Sequence, residues 1–450
     1  MATFYIDPTA GSGGDGSFES PFNSWTSVTW TAGNTYLQKE NTTYVGSILP
    51  TTTGTSSAYI TVGVYDASSG TRLQKKTKTT VNANGGDYCF FVDSNTSYFI
   101  VQGLVLTNAI LAGVKKETTT NSSSAAAYIK VYDCTITKII NSTADLGHGC
   151  LLYGKGNEVR RCFINTISTD GIISFGDDLT VTDCFISNIN YGDVTNSGDC
   201  LSTYDGNNCY IARNYFDNVN QTNKQVIIVR NIASGSVNGI IEDNVCVMRD
   251  YPSSAGNSGK CLMVEQGNVV VRRNQCIGGE FGIWLQQTNI LCYSNLVISN
   301  STVLDAGIAI RANSVSVYNN TLIGIKTGAD GFGYGISHNS TYTSVVIKNN
   351  VIVNYLRAIR TASSGADENY NWLYNNTQPV VNSANTNKSA GANTTIGTDP
   401  LINNIGVPRP ASPLKNVGLF LLNSLDLDRK FRNNPPTIGA YECVVDRGTR

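Results

Sequence analysis

Charge is scarce in this chain: only 14% of its 450 residues are Asp, Glu, Lys or Arg, against roughly 25% in an average soluble protein. With 32 basic and 33 acidic side chains the formal net charge is -1. Composition therefore offers no electrostatic footprint for a nucleic acid or an anionic membrane. No apolar run reaches the roughly 20 residues of a membrane-spanning helix. The start, MATFYIDPTAG, has neither the basic region nor the apolar core of a signal peptide, so a chain made in the cytoplasm is expected. No C-x-x-C pair occurs among the 12 cysteines, which argues against structural zinc. The chain is also too long for a small disulfide scaffold, so the cysteines are expected as buried free thiols.

What the sequence has instead is repetition. Strings of one design recur: IEDNVCVMR from Ile241, VRRNQCIGG from Val271, VYNNTLIGI from Val317 and IKNNVIVNY from Ile347. Aligned on the fourth residue they form a ladder of Gly103, Cys134, Cys162, Cys184, Asn214, Asn244, Asn274, Asn295, Asn320, Asn350 and Asn376, spaced 21 to 31 residues apart. An irregular period of this size, built from short β-branched segments, marks a solenoid. In the coil 307–325, GIAIR, SVSV and TLIGI read as three short strands, with Ile308, Ile310, Val315, Val317 and Leu322 on one face. Such a coil cannot close a core alone, but parallel stacking of successive coils buries a continuous interior. The ladder position falls at the bend between the second and third strands. There an Asn amide can serve both its own bend and the Asn of the next coil. Cys134, Cys162 and Cys184 read as small buried hydrophobes in the same place.

These coils resemble the right-handed parallel β-helix proteins of the pectate-lyase-like superfamily, in character closest to phage tailspikes and other polysaccharide depolymerases. YIDPTAGSGGDGSFESPFNSWTSV (5–28) resembles their opening segment, and SPLKNVG (412–418) and TIGAYE (437–442) their closing one. The resemblance covers nearly the whole length. It implies an all-β, single-stranded right-handed parallel β-helix of about 11 or more coils, with an N-terminal capping helix and a C-terminal cap. The first coils are expected in 1–99, the body in 100–380 and the closing segment in 381–450. The fold does not select a reaction: lyases, galacturonases, depolymerases, epimerases and non-catalytic adhesins share it.

Function is sought where the repeat is interrupted. Three consecutive coils between Val181 and Val271 are each 30 residues long. Their surplus, NYGDVTNSGD (190–199), NQTNK (220–224) and DYPSSAGNSGK (250–260), is expected to wall a groove. On the strands beside it, Tyr153, Phe175, Tyr204, Lys260, Trp284 and His148 are the candidate glycan-binding residues, aromatic faces stacking on sugar rings. In this reading Cys200, Ser202, Cys261 and Met263 point inward, while Thr203 and Val264 point outward.

Asp205 and Glu265 lie two coils apart, about 9–10 Å along a stack. That suits the about 6.5–9.5 Å carboxyl pair of an inverting glycosidase, with Glu265 as acid, Asp205 activating water and Arg230 between them. The alternative is β-elimination of a uronate. Lys224, Arg230 and Lys260 would then supply the base and neutralise the carboxylate, and the resemblance would bring calcium; hydrolysis needs no cofactor or metal. Neither the v-W-i-D-H nor the R-x-P-x-x-R string of pectate lyases is present, and His148 in GHGC has no Asp-Asp neighbour in sequence. Asp170 and Asp199 read as turn residues. A third reading is a non-catalytic glycan receptor or adhesin. The expected partner throughout is polysaccharide, with no nucleic acid or membrane. The tailspike resemblance implies a homotrimer carried on a virion.

Overall fold

Short β-branched segments parted by bends define the chain, and in the computed structural model each becomes a strand of a parallel ladder. Residues 1–118, 125–141, 146–190, 198–218, 225–230, 238–248, 259–301, 304–326, 333–338, 342–361, 365–421 and 425–443 are described. The chain divides into two compact units, Met1–Asn223 with Arg230–Ala233, and Lys224–Val229 with Ser234–Arg450. Each is a stack of parallel β-helix coils with three sheets, named here first, second and third after the strand order within a coil.

In the first unit the first sheet runs through Tyr88–Val92, Ala112–Lys116, His148–Tyr153, Ile172–Phe175 and Leu201–Tyr204. In the second unit it runs through Lys260–Glu265, Phe281–Leu285, Ala306–Ile310, Tyr334–His338, Arg357–Arg360 and Gln378–Val381. Among the described residues the only helical element is one 3-10 turn, Trp25–Ser27, where a capping helix was expected. Ser24 caps the turn by accepting from the Thr26 N–H, but Val28 is already extended. Beyond it Trp30 folds back to stack on Trp25 at 5.9 Å. The β-branched run after Ser27 thus ends the turn before a helix can form.

The Asn ladder is present in the second unit and can be followed bond by bond. The side-chain amides of Asn244, Asn274, Asn295, Asn320 and Asn350 each donate to the next ladder carbonyl at 3.0–3.1 Å. Several also donate to a carbonyl of the preceding coil, as Asn320 does to Cys292 at 3.0 Å. The residue before each ladder position has left-handed backbone, for example Arg273 at φ 56° and Asn319 at φ 55°. This turns the local carbonyls out of the sheet ladder and leaves them for the amide to satisfy.

Two ladder positions shift from the sequence alignment. The last partner of Asn350 is Asn371, not Asn376, because Val345–Lys348 pairs with Ala366–Asn369. Asn376 instead receives the Tyr355 N–H at 2.8 Å. At the other end Val131 pairs with Val101, so fully buried Leu104 takes the place assigned to Gly103. In the first unit Cys134, Cys162 and Cys184 fill the position as expected, each buried, free and donating its thiol to backbone carbonyls. The closing segment lies against the third sheet of the second unit, where Leu414 and Ile438 pack on Val351, Val353 and Trp372.

Replacing Asn320 by Leu strands the Cys292 carbonyl and breaks the relay on both sides. About 1–3 kcal/mol is expected for each unsatisfied group. The variant should therefore unfold at lower urea than the native chain, followed by circular dichroism; an unchanged midpoint would show that the relay contributes nothing net.

Candidate active site

Alternation along the first sheet decides what faces solvent. In the first unit Tyr153, Phe175 and Tyr204 occupy one outward column. Their rings stack at 4.8 and 5.3 Å, with interplanar angles of 11° and 18°. The Arg230 guanidinium sits 5.7 Å from the Tyr204 ring centre, and the Arg230 carbonyl accepts the Asp205 N–H at 3.2 Å. The ring faces are thus engaged with one another and with a cation, so a ligand here meets ring edges and hydroxyls. Asp205 is half-buried at the strand end, with φ 56°.

Two strands were assigned one residue out of phase. Leu201 and Thr203 face the core while Ser202 and Tyr204 face out, because Leu201 pairs with Ile172 and Thr203 with Ser174. Cys200 stands beside Gly171 at the corner, not beside Cys150. In the second unit Leu262 and Val264 likewise face the core with Ile283 and Leu285, which puts Met263 outside beside Trp284.

His148 does have an acidic neighbour, and it comes from the next coil. Its Nδ1 lies 3.2 Å from Asp170 Oδ2, outside hydrogen-bond alignment. Ser202 donates to Asp199 at 2.9 Å, and Asp170 accepts the Asp199 N–H at 3.0 Å. All four side chains are buried. Burial, then the charges of Asp199 and Asp170, push the Tyr204 hydroxyl up to about 12.

The second unit carries a different constellation on its outward first-sheet face. Trp284 stands edge-on to Phe281 at 4.7 Å, with Lys260 Nζ and the Arg311 guanidinium each 5.0 Å from its ring centre. Arg357 and Arg360 lie over Tyr334 at 5.5 and 5.4 Å. Glu280 and Asp305 precede paired strands in register, with the Asp305 N–H donating to the Glu280 carbonyl at 2.9 Å. Burial raises the Asp305 carboxyl to about 6 despite the opposing charges of Arg311 and Arg360. Glu280 is raised by burial and then by the charge of Asp305, with Lys260 opposing. Neither arginine forms an ion pair with Asp305 among the described residues, and buried Arg311 Nη1, Arg360 Nε and Ser337 Oγ lack hydrogen-bond partners.

Glu265 is half-buried at the end of Lys260–Glu265, in the second unit, whereas Asp205 belongs to the first. Lys224 and most of the three long loops lie outside the described residues. Among the described residues no three His, Cys, Asp or Glu side chains are grouped to hold a metal ion.

No protein-family model and no curated protein matches the chain. Solved structures do. XylC in complex with xylose aligns over 98% of both chains at 9% identity and a TM-score of 0.56. The alginate lyase AlyF-OU02 with G6 aligns over 82% of this chain and 84% of its own, at 12% identity and a TM-score of 0.52. The GH136 lacto-N-biosidase from Eubacterium ramulus covers 88% of this chain and 68% of its own, at 11% identity and a TM-score of 0.50. The chain has the parallel β-helix fold.

Within this β-helix, sequence reasoning missed Glu280, Asp305, Arg311 and Arg360. A signal for the acids was present: aligning EFGIWL with DAGIAI on their glycines places Glu280 and Asp305 at one position of adjacent coils. A carboxyl raised on folding stabilises fully below its unfolded value near 3.8, and that contribution is lost as pH climbs through about 6. Asp305→Asn should remove this dependence. The native chain should lose stability relative to the variant between about pH 4 and 7, by on the order of 2 kcal/mol, in urea unfolding at several pH values. Parallel curves would show that Asp305 is not raised.

Proposed function

We propose that the chain is a polysaccharide depolymerase that hydrolyses an acidic glycan on the outward first-sheet face of its second unit. The Glu280–Asp305 pair carries this reading. Two carboxyls in register on adjacent coils disfavour double ionisation, so the pair holds one proton towards neutral pH. Burial raises both carboxyls, Asp305 to about 6, and in this reading Asp305 carries the proton. Asp305 then protonates the glycosidic oxygen while the Glu280 carboxylate attacks the anomeric carbon. Water afterwards hydrolyses the glycosyl ester, with Asp305 accepting its proton. Adjacent coils lie about 4.8 Å apart, nearer the about 5–5.5 Å of retaining glycosidases than the wider inverting spacing. Arg311 and Arg360, unpaired with Asp305, suit the carboxylate of an acidic sugar. Among proteins of like fold, a lacto-N-biosidase and an alginate lyase are in keeping with glycan cleavage. The tailspike resemblance adds a homotrimer to the reading, which sedimentation equilibrium would check.

The test is incubation with bacterial capsules, alginate and pectins, following reducing ends and ultraviolet absorbance together. New reducing ends without absorbance, a product of retained anomeric configuration, and activity falling as pH rises through about 6 are expected. Glu280→Gln and Asp305→Asn should each lower kcat by roughly 10²–10⁴-fold. Rising absorbance would instead indicate elimination and point to Lys224, Arg230 and Lys260. Cleavage untouched by either substitution but abolished in Asp205→Asn or Glu265→Gln would move the chemistry to that pair. Glycan binding without cleavage of any substrate would favour a receptor.

A further inference from the structure

We propose that a second ligand site, a cleft between the third sheet of the second unit and the segment 399–404, binds a neutral pyranose unit of a glycan. The cleft measures ≈ 450 Å³, within the about 300–1,000 Å³ typical of small-ligand sites. One wall is a column of outward side chains in register, Ile323, Val353 and Tyr374. Pro400 and Ile402 face it from the other wall. Apolar and aromatic surface of this extent matches the C–H face of a sugar ring.

Three polar side chains of the cleft, Asn354, Asn403 and Asp399, share one feature: each has one end anchored and the other open. Asn354 Oδ1 accepts from Asn375 at 2.6 Å, which leaves the Asn354 amide nitrogen without a partner among the described residues. Asn403 Oδ1 accepts the N–H groups of Ile405 and Val407 at 3.1 and 2.9 Å, leaving its nitrogen open. Asp399 Oδ1 accepts the Leu401 N–H at 2.8 Å, leaving Oδ2 open. The Tyr374 hydroxyl likewise has no described partner. Two amide donors, a carboxylate acceptor and a hydroxyl, each fixed at its root, are what recognition of sugar hydroxyls requires.

The walls are held before any ligand arrives. Trp372 Nε1 donates to the Thr398 carbonyl at 2.7 Å, and Ser412 Oγ to the Pro400 carbonyl at 2.6 Å. Charge then selects the ligand. Asp399 is the charged side chain among those lining the cleft and disfavours an anionic sugar, while Lys326 lies outside the lining, held on Asn375 at 2.8 Å. In this the cleft differs from the arginine-bearing first-sheet face.

The probes are methyl β-D-glucopyranoside, methyl β-D-galactopyranoside and N-acetyl-D-glucosamine, with glucuronic acid for comparison, titrated by ligand-observed NMR into the full chain carrying Asp305→Asn. At least one neutral probe should bind saturably in the millimolar range. That binding should weaken roughly tenfold or more in Tyr374→Ala and in Asp399→Ala, and stay unchanged in Arg311→Gln. Asp399 is exposed, so its variant should fold even if Tyr374→Ala does not. The site is overturned if no neutral probe saturates, if Asp399→Ala leaves binding intact, or if glucuronic acid binds there as well as the neutral sugars. The proposal shares with the depolymerase reading only a saccharide ligand: neutral sugars bound here by a chain that cleaves no glycan would overturn that reading and leave this one standing.

Discussion

Parallel register between coils is the constraint on which the rest of the structure depends. A single coil has three short strands and no closed interior, so its backbone groups and apolar faces are satisfied only by the coil before and the coil after. Register then places equivalent residues about 4.8 Å apart along the stack, and every side chain must tolerate its own kind as neighbour. Asn does so at the bend because one amide both donates and accepts. Aromatic rings do so by stacking, as Phe163, Phe185 and Tyr215 show at 5.4 and 5.2 Å. At the left-handed bend the chain alternates charge instead, with Arg161 on Asp133 and Arg213 on Asp183 at 2.7 and 2.8 Å. Glu280 and Asp305 bring two carboxyls into register with no such accommodation: burial raises both, and the charge of Asp305 raises Glu280 further.

This constraint explains what was legible in the sequence. Strand position and the inward Ile and Val columns follow from local alternation, and the Asn ladder repeats visibly, so the fold could be read directly. Phase was harder to read. In 370–376, YNWLYNN offers two asparagines at competing positions, and only pairing with Val345–Lys348 decides for Asn371. In CLSTY the first residue looks like Cys150 but stands at the corner beside Gly171. A one-residue slip of this kind exchanges the core and solvent faces of a strand.

The candidate site was legible only in part, for a different reason. Arg311 and Arg360 lie 49 residues apart in sequence, and nothing local marks either. Their meaning appears only when Asp305 is seen half-buried near both without an ion pair. Tyr153 and Phe175 were read as outward and are, while Tyr204 joins their column from the strand assigned out of phase; stacking engages all three ring faces, which no single coil reveals.

The opposition between burial and cationic charge at Asp305 has a mechanistic consequence. Arg311 and Arg360 act to keep its carboxyl ionised, yet burial is the larger effect. A substrate carboxylate received by the two arginines would offset their charge and add its own negative charge nearby, both of which favour the protonated acid. Closure of the face by a sugar ring would desolvate Asp305 further, in the same direction. Substrate binding and the supply of a proton to the leaving oxygen are then one coupled event. In the proposed reaction the arginines would hold the anion and by holding it release their grip on the acid, so Asp305 would be most fully protonated when a glycosidic bond stood ready to receive its proton.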